Sequence, residues 1–234
     1  MNPNPVIVAL DVPNAARALE IAAAVRPHVG AVKVGKELFL AEGPAFVRQL
    51  RAESVPVFLD LKFHDIPNTV AKAVESAVRL DVQMLTIHTS GGLAMMQAAQ
   101  KSAEEAALRT GKTQPLVLGV TVLTSLNSND LAEVGVPHDV GNQVERLASL
   151  AAKAGLGGLV CSPLEIARLR QFLPAHVQLV TPGIRPVDSK ADDQKRTLTP
   201  KEALAAGASW LVIGRPICAA PSPRAAPETI LAPL

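Results

Sequence analysis

Short apolar, β-branched runs recur along the chain, and longer segments with a different rhythm separate them. The runs are VIVAL from residue 6, AVKVG from 31, VPVFLDL from 55 and VQMLTIHT from 82, then PLVLGVTVL from 115, GGLVCS from 157, VQLVTPG from 177 and SWLVIG from 209. In the intervening segments, such as NAARALEIAAAVRP at 14–27 and GGLAMMQAAQKSAEEAALRTG at 91–111, apolar residues return every three or four positions. The first pattern predicts strands and the second helices. Strict alternation of the two implies parallel strands with right-handed crossovers. Eight such units in 234 residues match the size of a (β/α)8 barrel, with a doubly wound open sheet as the structural alternative. Without a Pro, Gly and Ser-rich linker or an internal repeat, a single domain over 1–234 is the simpler reading. The GLGG at 155–158 falls between a predicted helix and a predicted strand, where a helix C-cap and turn favour glycine, so it is read as a turn and not as a nucleotide loop.

Composition narrows the function classes. With 48% hydrophobic and 19% charged residues the chain has ample material for a core. Its 23 basic and 21 acidic side chains nearly balance, aromatic residues make up 3%, and tyrosine is absent. These features disfavour a nucleic-acid or anionic-lipid surface. No stretch is long and apolar enough for a membrane span, and the N-terminal MNPNPVIVALDVPN lacks a basic segment followed by an apolar run, so a cytoplasmic location is expected. Cys161 and Cys218 stand far apart and are read as small core residues. The five histidines lack metal-ligand spacing, and His64 is read as structural.

In a barrel the active site forms where strands end. The strand ends here are polar: Asp11 after the first, Lys33 in the second, Asp60 and Lys62 in the third, His88 and Thr89 in the fourth, and Thr124 and Ser125 after the fifth. Thr181 and Arg185 follow the seventh, and Gly214 and Arg215 the eighth. A period of two puts Asp60 and Lys62 on one face, and Asp11 on the face of Ile7 and Ala9. Polar residues at strand ends commonly just return the chain to solvent. That explanation is weak for Lys33, Asp60, Lys62 and Asp65 together, because Lys33 lies inside an apolar run and an inward lysine needs a partner. Asp65 also precedes a helix start at Pro67, so a local role for it is equally open. The polar stretch 181–200 followed by VIGRPI fits a phosphate site at the last two strand ends, with Gly214 exposing backbone N–H groups and Arg215 supplying a bidentate cation.

Taken in order, LDVPN at 10, KVGKELF at 33, FLDLKFHDIPNTV at 58, TVLTS at 121, TPGIRP at 181, DDQKR at 192 and VIGRPI at 212 resemble the orotidine 5'-phosphate decarboxylase family over nearly the whole chain. The resemblance implies a barrel enzyme of pyrimidine nucleotide synthesis that acts without metal or cofactor on orotidine 5'-monophosphate, as a homodimer with shared sites. By motif, Asp11 and Lys33 would contact the ribose hydroxyls, and Lys33, Asp60, Lys62 and Asp65 would form the charged catalytic network. Asp65 and Thr69 would come from the neighbouring subunit. Thr124 would touch the base or the rim of the site, and Arg185, Gln194, Gly214 and Arg215 would hold the 5'-phosphate beneath a closing loop at about 186–199. Lys36, where relatives often carry an uncharged residue, and the tail PSPRAAPETI, without an acid before Pro223, are departures outside the catalytic positions.

Two other readings remain at this level. A magnesium-dependent sugar-phosphate decarboxylase or aldolase shares the D-x-K-x-x-D element but needs an acidic metal ligand where this chain has Lys33. A non-catalytic phosphosugar sensor would keep Arg215 and Gln194 without needing Lys62 beside two carboxylates.

Overall fold

In the computed structural model, which describes residues 4–185 and 197–232, each apolar run becomes a strand. They are β1 (Val6–Ala9), β2 (Ala31–Gly35), β3 (Val57–Phe63), β4 (Met84–His88), β5 (Leu116–Val120), β6 (Gly158–Val160), β7 (Gln178–Thr181) and β8 (Trp210–Ile213). All pair in parallel with their sequence neighbours, and β1 pairs with β8, so the sheet closes into a barrel. The open-sheet alternative is thereby set aside.

The helical layer comprises α1 (Ala15–Val25), α2 (Lys36–Ala52), α3 (Pro67–Arg79), α4 (Gly92–Thr110), α5 (Ser128–Glu133), α6 (Val140–Lys153), α7 (Ile166–Arg170), α8 (Pro200–Ala205), α9 (Arg215–Cys218) and α10 (Ala226–Leu231). Local chemistry sets several boundaries. The Asn14 side chain accepts a hydrogen bond from the Arg17 N–H at 3.0 Å and caps α1. Pro67 opens α3 at a position where its missing N–H has no cost. Gly155, at φ 81°, ends the turn after α6 as the GLGG reading requires. The short α5 and α9 were not apparent from the strand and helix alternation, because four to six residues are too few to show a helical period.

The two faces of the barrel wall pack separately. Val6, Val8, Val32, Val34, Val57 and Leu59 point outward against the helices. Ile7, Ala9, Ala31, Phe58, Met84 and Leu118 point inward with Val180, Trp210 and Val212. This is the period-two division that the strand sequences imply. Trp210 closes the floor: its indole N–H donates to Gln178 Oε1 at 2.6 Å, and its ring comes so near Gly30 that a Cβ there would stand 2.5 Å away. On the same side Arg170 donates to the carbonyls of Gly207 and Val177 and to Ser209 Oγ, joining α7 to the approaches of β7 and β8. Among the described residues no helix is long and apolar enough to cross a membrane.

Candidate active site

Each inward row is apolar at the floor and turns polar toward the carboxyl ends of the strands. Along β1 it runs Ile7, Ala9 and then Asp11; along β2, Ala31, Lys33 and Gly35; along β3, Phe58, Asp60 and Lys62; along β4, Met84, Thr86 and His88. At this end lies a cavity of about 440 Å³, within the usual range for small-molecule sites. Its polar lining is Asp11, Lys33, Asp60, Lys62, Thr124, Arg185, Gly214 and Arg215, and Phe58, Val120, Val160 and Val212 supply an apolar wall.

Charge is densest around Asp60. Lys62 Nζ donates to both Asp60 oxygens at 2.8 Å. Lys33 Nζ lies 3.8 Å from Asp60 Oδ2 and donates to Asp11 Oδ1 at 3.0 Å, so one ammonium bridges two carboxylates. Gly35 leaves room for it, since a Cβ there would approach Lys33 Nζ to 3.2 Å. Thr86 Oγ1 donates to Asp60 Oδ1 at 3.0 Å and accepts the Lys62 backbone N–H at 2.8 Å.

Asp60 and Lys62 share a face as expected, but not by simple alternation. Pairing of β3 with β4 jumps from Leu59↔Leu85 to Phe63↔Ile87, so three residues of β3 face one of β4. Within this bulge Lys62 adopts a left-handed φ of 54°. A non-glycine residue there costs on the order of 1–2 kcal/mol. Strain of this kind persists only where surrounding bonds hold it, and it re-aims a side chain.

Burial alone would push the Asp60 carboxyl up, but the Lys33 and Lys62 ammoniums and the hydrogen bonds from Lys62 and Thr86 outweigh it and hold the pKa below the ordinary value. A depressed carboxyl contributes stability above the unfolded-state pKa and loses it as pH falls through the folded-state value. Denaturant midpoints measured from about pH 6 down to about pH 3 should therefore fall less steeply for Asp60→Asn than for the native sequence. Burial, then the nearby charges of His64, Lys62 and Lys36, hold the His88 imidazole below its ordinary value.

The remaining expected residues divide into three groups. Thr124, Arg185, Gly214 and Arg215 line the cavity. Arg185 stands beside the junction at which its N–H donates to the Leu198 carbonyl at 3.0 Å, which joins the two ends of the 186–199 stretch. Gln194 and most of the expected phosphate-closing loop lie outside the described residues. Asp65 and Thr69 are exposed and are not among the residues lining the cavity of this chain. Asp65 Oδ1 instead accepts the N–H of Ile66 at 2.6 Å, beside the start of α3. Thr89 turns away, its hydroxyl donating to the Val120 carbonyl at 2.8 Å.

Neither thiol is suited to act as a nucleophile. Cys161 lines the cavity but is buried, and burial pushes its pKa up to about 12. Cys218 is only half-buried, not a full core residue; its thiol donates to the Ala9 carbonyl at 3.2 Å and its pKa is raised to about 11, chiefly by burial. Thr86 was missed by sequence reading. Its place on the inward row, two residues before His88, was legible, but not what its hydroxyl meets.

A profile of the Orotidine 5'-phosphate decarboxylase / HUMPS family matches residues 4–230. The chain belongs to this family. Within the orotidine 5'-phosphate decarboxylase / HUMPS family it is 54% identical over 228 residues to the orotidine 5'-phosphate decarboxylase of Opitutus terrae, covering 97% of each chain. It is 53% identical over 230 residues to that of Pseudomonas syringae pv. syringae, covering 98% of this chain and 97% of the relative. The crystal structure of orotidine 5'-phosphate decarboxylase from Lactobacillus acidophilus superposes with a TM-score of 0.86 at 38% identity, over 97% of both chains. That of an uncharacterized conserved protein from Geobacillus kaustophilus superposes with a TM-score of 0.83 at 34% identity, over 97% of this chain and 99% of the other.

Proposed function

We propose that this protein decarboxylates orotidine 5'-monophosphate to uridine 5'-monophosphate and CO2, in pyrimidine nucleotide synthesis, with no metal or organic cofactor. The observation that carries the reading is the Lys62 ammonium held by both oxygens of Asp60 at 2.8 Å inside the cavity, with Lys33 against the same carboxylate. Lys33 also distinguishes this reaction from a magnesium-dependent one on a sugar phosphate. Its ammonium occupies the space between Asp11 and Asp60 where a divalent ion would need oxygen ligands.

The substrate lies with its ribose hydroxyls at Asp11 and Lys33, its base along the apolar wall near Thr124, and its 5'-phosphate at Arg185, Gly214 and Arg215. Gln194 and the 186–199 loop complete the phosphate side. The C6–carboxylate bond breaks heterolytically, its electron pair stays on C6, and CO2 departs. The Lys62 ammonium faces that pair, stabilises it as it forms and delivers a proton to C6, leaving a neutral amine that solvent reprotonates. Stabilisation is catalytic because the charge develops only in the transition state. Asp60 aims the Lys62 ammonium through both of its oxygens, and it faces the departing carboxylate. Two carboxylates about 4 Å apart at an effective dielectric near 20 repel by about 4 kcal/mol, which bond breaking relieves. In D2O the product should be uridine 5'-monophosphate carrying one deuterium at C6 by NMR. Absence of that nucleotide would refute the assignment.

The active unit in this reading is a homodimer, with Asp65 and Thr69 supplied across the interface. What supports it is that both side chains are exposed here and lie outside the cavity of their own chain, next to Ile66, which is 67% exposed. Asp65→Ala and Lys62→Ala should each be inactive alone. Refolded together, they should recover about a quarter of native activity, because half of the dimers are mixed and each mixed dimer has one intact site of two. No recovery would place Asp65 and Lys62 in the same chain's site.

A further inference from the structure

The bulge in β3 leaves a gap in the sheet that a side chain fills. Between the Leu59↔Leu85 and Phe63↔Ile87 pairs, residues 60–62 have only Thr86 opposite them. The Lys62 N–H, turned by its left-handed φ, donates to Thr86 Oγ1 at 2.8 Å. The same hydroxyl donates a hydrogen bond to Asp60 Oδ1 at 3.0 Å. Thr86 is fully buried and does not line the cavity, so it meets the reacting pair from behind.

We infer that Thr86 is a positioning residue for the decarboxylation, its one hydroxyl fixing both the backbone turn that presents the Lys62 ammonium and the orientation of the Asp60 carboxylate. This rests on the reading that Lys62 and Asp60 carry the chemistry. Threonine suits the task for two reasons. A hydroxyl accepts and donates at once, so a single atom joins backbone to carboxylate. A β-branched side chain has few χ1 choices on a strand, so the hydroxyl direction is set in advance. Asp60 Oδ1 thereby receives two donors, Lys62 Nζ and Thr86 Oγ1, and Oδ2 receives Lys62 Nζ with Lys33 nearby. Without the hydroxyl the strained turn at Lys62 loses the acceptor for its N–H, and Asp60 Oδ1 loses the one donor that is not a lysine. The remote phosphate and ribose contacts do not pass through Thr86.

The test compares Thr86→Val, which keeps the shape and removes the hydroxyl, with Thr86→Ser, which keeps the hydroxyl and removes a methyl group. Thr86→Val should lower kcat by about 10- to 100-fold, with KM for orotidine 5'-monophosphate and binding of uridine 5'-monophosphate within about threefold of native. Thr86→Ser should hold kcat within about threefold. Thr86→Val with native kcat, or Thr86→Ser losing as much as Thr86→Val, would overturn the inference; the second comparison stands even if the valine variant folds poorly. The two readings fail separately. Native protein inert toward orotidine 5'-monophosphate refutes the functional reading, whereas native turnover matched by Thr86→Val refutes this one alone.

Discussion

Lys62→Ala should lower kcat/KM for orotidine 5'-monophosphate by about 10⁴-fold or more, mostly through kcat, while the variant still binds uridine 5'-monophosphate. In the proposed reading the size of the effect follows from one ammonium doing two things, stabilising the electron pair left at C6 and supplying the proton that quenches it. No described neighbour substitutes. Lys33 is the nearest other ammonium to Asp60, at 3.8 Å, but it is already bonded to Asp11 at 3.0 Å. Truncation also leaves Asp60 with Thr86 and Lys33 as its remaining partners, so a fall in thermal stability is compatible with the account. Single-turnover kinetics at saturating substrate separate the chemical step from binding. Turnover within about tenfold of native would remove Lys62 from the role of proton donor.

Arg215→Ala should behave differently. Arg215 lines the cavity where β8 gives way to α9. A guanidinium holds a phosphate dianion through paired hydrogen bonds, and its removal should raise KM by about 10²-fold, with a smaller loss in kcat. The loss in kcat reflects phosphate binding energy that would otherwise hold the substrate in the reacting geometry. Isothermal titration with uridine 5'-monophosphate checks the assignment, because product affinity should fall in parallel with the rise in KM. Unchanged product affinity would take Arg215 off the phosphate.

The barrel was legible because its signals are periodic and repeated. Runs such as VIVAL and AVKVG are too short and too β-branched to be helices, and the period of two within them assigned Ile7, Ala9 and Asp11 to one row. The cluster of Lys33, Asp60 and Lys62 was legible for a related reason, since Lys33 sits in a strand too apolar to leave it without partners, whereas Asp65 stands outside that cluster in this chain. What remained hidden depends on departures from regular geometry. No propensity rule announces that Lys62 turns left-handed, since lysine has no preference for that region, and the bulge appears only when β3 is laid against β4. Thr86 was masked by its own composition, because threonine is an ordinary strand residue and its hydroxyl gains meaning only from what lies opposite. Asp65 illustrates a different limit. Its local bond to Ile66 and its exposure describe one chain, and the role proposed for it across a subunit interface has no counterpart in a single chain's sequence.

In the proposed reading this cavity decarboxylates orotidine 5'-monophosphate with its own side chains. The most direct measurement is the ultraviolet absorbance of that nucleotide mixed with the purified protein in excess EDTA. Rapid conversion to uridine 5'-monophosphate is expected, undiminished by the chelator and abolished in Lys62→Ala. No conversion in EDTA, together with turnover of a sugar phosphate once Mg2+ is restored, would contradict it and make Lys33 the misread residue.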